Sequence, residues 1–175
     1  LFNGSNGDEI FEASANGGRV LFTRNLGNIV MDLDGVERID LNALGGADTV
    51  KVNDLSGTDV TEINVNLQVA GGGGDGAADT VIVGGTQGND IIDIVGAGTS
   101  VSVVGLSARV NVTGAEGAND SLVINGLGGD DAITATTLPA GVVKLTIDGG
   151  AGNDTILGSQ GADTLLGGDG DEGGA

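Results

Sequence analysis

Cysteine and histidine are absent from the 175 residues. Without cysteine there is no disulfide framework and no thiolate metal site. Without histidine the usual zinc ligand and the commonest general base are both missing. There is no tryptophan or tyrosine, and phenylalanine occurs three times, so the interior cannot be organised around large rings. The sole proline, Pro139 in TTLPAG (136–141), reads as a turn or corner. Basic residues are scarce, with 6 Lys and Arg against 25 Asp and Glu and a formal net charge of −19. That balance argues against a nucleic-acid partner, whose phosphates would be repelled, and against charge-driven binding to an anionic membrane. No apolar run approaches the ~20 residues of a membrane span, so membrane insertion is not expected. LFNGSNGDEI at the start has neither the basic nor the apolar region of a signal peptide. Beginning at Leu1 and ending inside a repeat, the chain reads as a fragment of something longer.

What is abundant is glycine, at 36 residues, together with Val, Ile and Leu in short runs. TVIVGG (80–85), DIIDIV (90–95) and VSVV (101–104) are too β-branched for a flexible linker. INVNLQV (63–69), VSVVGLSARVNVTG (101–114), SLVING (121–126) and VVKLTID (142–148) contain short apolar–polar alternations bounded by Gly, Asn and Asp, which is the pattern of strands. Helical periodicity is not convincing anywhere. DLDGVERID (32–40) reads as strand, Asp-Gly turn, strand, because the spacing to a position-12 Glu of an EF-hand is lacking.

Two repeats of different length are superimposed. GSNGDEIFE (4–12) matches GTQGNDIID (85–93), and NALGGADTVKV (42–52) matches NGLGGDDAITA (125–135), placing Asp48 over Asp131. GGGGDGAADTVIV (71–83) corresponds to DGGAGNDTIL (148–157), placing Asp79 over Asp154. A unit of roughly 80 residues thus recurs about twice, as expected of a stacked, quasi-linear architecture. Within it lies a nine-residue unit in tandem: GGAGNDTIL (149–157), GSQGADTLL (158–166) and GGDGDEGGA (167–175). The first two keep Gly at positions 1 and 4, Asp at position 6 (Asp154, Asp163) and an aliphatic residue at position 8 (Ile156, Leu165).

This unit resembles the G-G-x-G-x-D-x-U-x nonapeptide of RTX (hemolysin-type) calcium-binding proteins. The expected fold is all-β: a parallel β-roll or irregular right-handed β-helix, that is, a solenoid. It would comprise a first long repeat (1–84), a second (85–148) and a nonapeptide roll (149–175), all in one continuous stack. Over 1–145 the coils are expected to be larger and less regular. The resemblance also implies several Ca2+ ions as the only cofactor.

Calcium takes six to eight oxygen ligands, more than one turn supplies. The resemblance implies ions between turns of neighbouring coils on one side of the roll, two nonapeptides apart. The turn 149–154 would pair with 167–172, with the Asp154 carboxylate and the carbonyls of Gly150, Gly152, Gly168 and Gly170 as ligands. Asp169, Asp171 or Glu172 would complete that site. Asp163 would lie on the opposite side, needing a partner turn before it or beyond Ala175. Weaker candidates are Asp131, Asp90, Asp48 and Asp79, in degenerate turns where ligation and plain turn-forming are equally open; at Glu9 Asp is replaced outright. The position-8 aliphatic residue would face the core.

Catalysis is not expected. There is no nucleophile elbow, no Gly-Lys-Ser/Thr follows GGGGDG (71–76), and the acids fall in turns rather than in one constellation. Crowded carboxylates and many glycines imply a chain of marginal stability without calcium, above all in its C-terminal third. What the resemblance implies is a calcium-binding structural module of a secreted or cell-surface bacterial protein. It would be exported unfolded by type I secretion and fold on meeting extracellular calcium. The alternative is a filament, surface-layer or adhesin element in which neighbouring copies stack end to end.

Overall fold

The computed structural model describes residues 1–170 and the backbone of Gly173–Gly174. Among these residues there are only strands, turns and bends, as the period-2 pattern predicts. In chain order the strands are β1 (Phe2–Ser5), β2 (Ile10–Asn16), β3 (Arg19–Arg24), β4 (Ile29–Leu33), β5 (Arg38–Leu44), β6 (Thr49–Val52), β7 (Glu62–Asn66), β8 (Thr80–Gly84) and β9 (Ile91–Ala97). There follow β10 (Ser100–Val104), β11 (Arg109–Thr113), β12 (Ser121–Asn125), β13 (Ala132–Thr134), β14 (Lys144–Asp148), β15 (Thr155–Leu157), β16 (Thr164–Leu166) and β17 (Gly173–Gly174). No helix among the described residues is long and apolar enough to cross a membrane.

The strands form two sheets. One has the order β1-β5-β7-β11-β10-β9-β13-β15-β17 and the other β16-β14-β12-β8-β6-β2-β3-β4. From β4 onward the chain crosses from one sheet to the other at nearly every turn, and strands of successive coils pair in parallel without slippage: Leu122 lies opposite both Val81 and Leu145. The exceptions are two antiparallel meanders, β2-β3-β4 and β9-β10-β11, each lying wholly in one sheet. They are the irregular coils expected over 1–145, here made by hairpins.

The meanders also decide where the long repeat falls in space. Each copy runs from a meander through four single strands (β2 to β8, then β9 to β15), so five sheet-to-sheet steps, an odd number, separate the start of one copy from the start of the next. The second copy consequently starts in the other sheet. Asp48 precedes β6 in the eight-stranded sheet, whereas its sequence equivalent Asp131 precedes β13 in the nine-stranded one. The segments 1–84, 85–148 and 149–175 are not separated by any break in the sheets: β8 pairs β12, and β14 pairs β16.

Inward residues of the two sheets meet in a thin aliphatic core that includes Val50, Ile63, Val81, Ile92, Ile124, Ile133 and Ile147. At one end Phe2, Phe11 and Phe22 pack ring against ring at 5.4–6.4 Å between centroids. On the outer face of the nine-stranded sheet, side-chain amides join coils, Asn66 to Asn42 to Asn3 and Asn111 to Asn64. Burial at position 8 differs between the two regular nonapeptides. Ile156 is 6% exposed, but Leu165 is 43% exposed. Leu165 does lie on the core face, opposite the buried Ile147, but β16 ends its sheet and among the described residues no coil lies beyond it to cover that side chain.

Candidate metal centre

The turns collect into two columns, one on each long edge of the stack. Turns entering the eight-stranded sheet carry Glu9, Asp48, Asp79 and Asp120 at position 6, and turns entering the nine-stranded sheet carry Asp90, Asp131 and Asp154. Within a column each carboxylate accepts the backbone N–H of its counterpart in the preceding coil. Glu9 N–H donates to Asp48 Oδ1 and Asp48 N–H to Asp79 Oδ1, both at 2.8 Å; Asp79 N–H donates to Asp120 Oδ1 at 3.0 Å. On the other edge Asp90 N–H donates to Asp131 Oδ1 at 2.8 Å, and Asp131 N–H to Asp154 Oδ1 at 2.9 Å. Position 5 works in the opposite sense, with Ala47 N–H donating to Asp8, Asp130 N–H to Asn89 and Asn153 N–H to Asp130. Position 5 and position 6 therefore lock neighbouring coils from both sides, which accounts for one oxygen of Asp48, Asp79, Asp120, Asp131 and Asp154.

The second oxygen separates two kinds of turn, set apart by the residue at position 2; the Asp79 turn, with Asp75 at that position, belongs to neither. In one kind position 2 has ordinary φ and its own N–H reaches back to the carboxylate four residues on. Thr86 N–H meets Asp90 Oδ2 at 2.7 Å, Ser159 N–H meets Asp163 Oδ2 at 2.6 Å, Glu116 N–H meets Asp120 Oδ2 at 2.7 Å, and Ser5 N–H meets Glu9 Oε2 at 2.7 Å. The Thr86, Ser159 and Ser5 hydroxyls cap the remaining oxygen as well. In the other kind position 2 lies at positive φ: Leu44 (79°), Leu127 (76°), Gly150 (92°) and Gly168 (94°). No N–H then caps the carboxylate, and the Oδ2 atoms of Asp48, Asp131 and Asp154 are buried without a hydrogen-bond partner. Two of these residues are leucines in a conformation that β-carbons resist, a local strain of the sort found at ligand sites.

The predicted site residues separate accordingly. The turn 149–154 does stack on 167–170: Asp169 N–H donates to Gly150 O at 2.7 Å, Gly152 N–H to Asp169 O at 3.0 Å, and Ala151 bridges Asp169. The same turn stacks on 126–131 from its other side, through Gly128 and Ala151. Gly150, Gly152, Gly168, Asp169, Gly170, Asp154 and Asp131 thus fall on one edge. Asp171 and Glu172 lie outside the described residues. Asp90 belongs to the same column, and Asp163 sits on the opposite edge, beside the Pro139 loop, where Gln160 N–H donates to Leu138 O at 3.0 Å. Neither presents a free oxygen, because the hydroxyl residues Thr86 and Ser159 at position 2 occupy their carboxylates. Asp79 is buried and accepts Asp48 N–H. Asp120 joins its column although Ala115 and Ala118 stand where the key glycines would be; its readable sign is the AND triplet (118–120), like GND at 88–90.

Burial disfavours charge on these carboxyls. Asp48 is pushed up to about 7 and Asp79 to about 6, chiefly by desolvation, while the N–H groups they accept pull the other way. Asp120 and Asp131 are raised for the same first reason. A carboxyl raised on folding holds its proton better in the folded chain than in the unfolded one. Its contribution is present at low pH and is lost as pH climbs from about 4 towards 7. In chelator, the thermal midpoint at pH 5 is therefore expected to exceed that at pH 7.5, by ~5 °C. Scanning calorimetry at the two pH values checks this, and excess calcium, which favours the ionised form, should shrink the gap.

An unpartnered buried carboxylate oxygen calls for a cation, and the donor set here is all oxygen, which suits a hard ion such as calcium. No three carboxylates among the described residues converge on one point. An ion would therefore be held by one carboxylate per turn together with backbone carbonyls of stacked turns, and Asp48, Asp131 and Asp154 fit that part. A scan against protein families matches residues 146–171 to the RTX calcium-binding nonapeptide repeat (4 copies). No curated protein and no solved structure matches the chain. The nonapeptide spacing, the stacked Gly-Asp turns and the family match agree that residues 146–171 are a tract of RTX calcium-binding repeats.

Proposed function

We propose that the chain is a calcium-stabilised, non-catalytic structural module of a secreted or cell-surface bacterial protein. The observation that carries this is the set of uncapped Oδ2 atoms on Asp48, Asp131 and Asp154, in turns whose position 2 is at positive φ. The last two sit in stacked turns of one column, and Asp154 lies inside the repeat tract. Extracellular modules bind calcium with Kd of ~10⁻⁴–10⁻³ M, matched to millimolar calcium outside the cell and far above cytosolic levels. Such sites would leave the repeat tract loose during export, in keeping with type I secretion, and set it on arrival.

Isothermal titration of the whole chain tests the assignment. Asp131→Asn and Asp154→Asn are each expected to remove one calcium equivalent, and Asp48→Asn likewise. Asp90→Asn and Asp163→Asn should leave the stoichiometry unchanged, because Thr86 and Ser159 already satisfy those carboxylates. Loss of an ion from D163N equal to that from D154N would sink the distinction between capped and uncapped turns.

End-to-end assembly of copies is favoured by one observation, the open edge at β16 with Leu165 and Leu166 about half exposed. Calcium-dependent growth of large species in sedimentation velocity, lost in Leu165→Lys, would select that role instead.

A further inference from the structure

The GGGGDG segment (71–76) lacks the lysine of a phosphate loop, and the fold gives it another use. Gly71, Gly72 and Gly73 all lie at positive φ, in a tight turn closed by Gly72 N–H to Val69 O and Val69 N–H to Gly73 O. The chain then enters the turn 74–79 with Asp75 at position 2. Asp75 Oδ1 accepts Ala77 N–H within its own turn, and Oδ2 reaches the preceding coil to accept Gly46 N–H, both at 2.8 Å.

Gly46 is position 4 of the Asp48 turn. In the regular turns that N–H has a different acceptor, the backbone carbonyl of position 3 in the next coil. Gly129 N–H donates to Ala151 O at 2.9 Å, and Gly152 N–H to Asp169 O at 3.0 Å. On the Asp48 turn a side-chain carboxylate stands in for that carbonyl. A full negative charge is thus brought to a turn whose own Asp48 Oδ2 is buried without a hydrogen-bond partner. Among the described residues neither Asp48 nor Asp75 has an ion pair. The internal duplication supplies the comparison. Leu44 and Leu127 give the Asp48 and Asp131 turns the same backbone, but Gly150 occupies the place of Asp75 in the second copy.

We infer that Asp75 is a second carboxylate ligand of the Asp48 site, an inference that rests on Asp48 holding calcium, and that the pair makes this the tightest calcium site of the eight-stranded edge. A carboxylate oxygen has more than one lone pair, so an oxygen that accepts Gly46 N–H can also ligate an ion. More ligand charge means tighter binding of a hard cation. Glu116 repeats the reach one coil on, accepting Gly76 N–H at 2.8 Å, but the Asp79 turn it meets holds no orphaned buried oxygen.

The test is calcium titration calorimetry on the whole chain carrying Asp131→Asn and Asp154→Asn, which isolates the Asp48 site. Adding Asp75→Asn, which keeps an acceptor for Gly46 N–H, is expected to weaken that site about tenfold, through loss of one ligand charge. Adding Glu116→Gln should leave its affinity unchanged. In the otherwise unaltered chain, Asp75→Asn should lower the thermal midpoint in calcium but not in chelator, where it removes repulsion. Unchanged affinity in Asp75→Asn would overturn the inference and leave the Asp48 site standing. So would equal weakening by Glu116→Gln, or a midpoint lowered as much in chelator as in calcium, which would make Asp75 only a cap for Gly46. If Asp48→Asn removes no ion, the Asp48 site falls and Asp75 falls with it.

Discussion

Chelating calcium from the loaded chain is expected to loosen the coils after about residue 126 while leaving the first two-thirds folded. At ten times its Kd an ion contributes about 1.4 kcal/mol, so the sites at Asp131 and Asp154 together supply about 3 kcal/mol. That is a large share of the net stability of a domain, which is ~5–15 kcal/mol. The sum falls on the part of the stack least able to do without it. β13, β15 and β16 have three residues each, and β16 leaves Leu165 and Leu166 half exposed. The N-terminal coils hold the three packed phenylalanines and strands of up to seven residues. Hydrogen exchange in excess chelator should therefore show rapid exchange in β14 to β16 and retained protection in β2, β3 and β7. Equal magnesium should not restore the loss, because magnesium demands six near-octahedral ligands at ~2.0–2.1 Å. Uniform unfolding would mean that the sites govern the whole chain, as the glycine content and crowded charge suggest. No change at all would mean that the turns hold without ions.

The difference between those expectations shows what the sequence could convey. Strand positions were legible because the core is thin and the sheets are two-sided: apolar residues alternate in SLVIN (121–125) and KLTID (144–148), and both are strands with alternate residues buried. The regular nonapeptides were legible because calcium-type turns need Gly and Asp at fixed spacing. The two edges were not, since their assignment depends on counting sheet crossings, and the hairpins at Gly17–Gly18 and Gly98–Thr99 change that count without breaking the alternation. Nor was the division of the turns into capped and uncapped. It turns on the sign of φ at position 2, and there Leu44 and Leu127 adopt a conformation that sequence reasoning assigns to glycine. Serine or threonine at that position, as in Ser5, Thr86 and Ser159, was the readable sign that a carboxylate is satisfied within its own turn.

Glu9 has a further source of charge compensation, and disrupting it should produce the largest effect of any single substitution. Its side chain is fully buried and accepts the Ser5 N–H, with the Arg24 guanidinium against Oε1. Arg24 comes from β3, directly across from Phe11, and sits 5.9 Å from the centre of the Phe2 ring. The second copy has no such pair: Asp90 stands in place of Glu9 and Gly105 in place of Arg24. The longer Glu carboxylate and the guanidinium thus belong together, a resident cation where other turns use an N–H or are left for calcium. Removing one partner of a buried ion pair costs about 3–5 kcal/mol, because the other charge is left uncompensated. Arg24→Met is accordingly expected to lower the thermal midpoint in saturating calcium by about 10 °C, at ~2–4 °C per kcal/mol for a chain of this size. The double variant Glu9→Gln, Arg24→Met should recover more than half of that loss, since it leaves no charge to bury. Equal destabilisation in single and double variants would assign the cost to lost packing on Phe2 instead. Recovery would establish that the first turn of its column is neutralised by protein alone, and that calcium is required only where the polypeptide supplies neither a guanidinium nor an N–H.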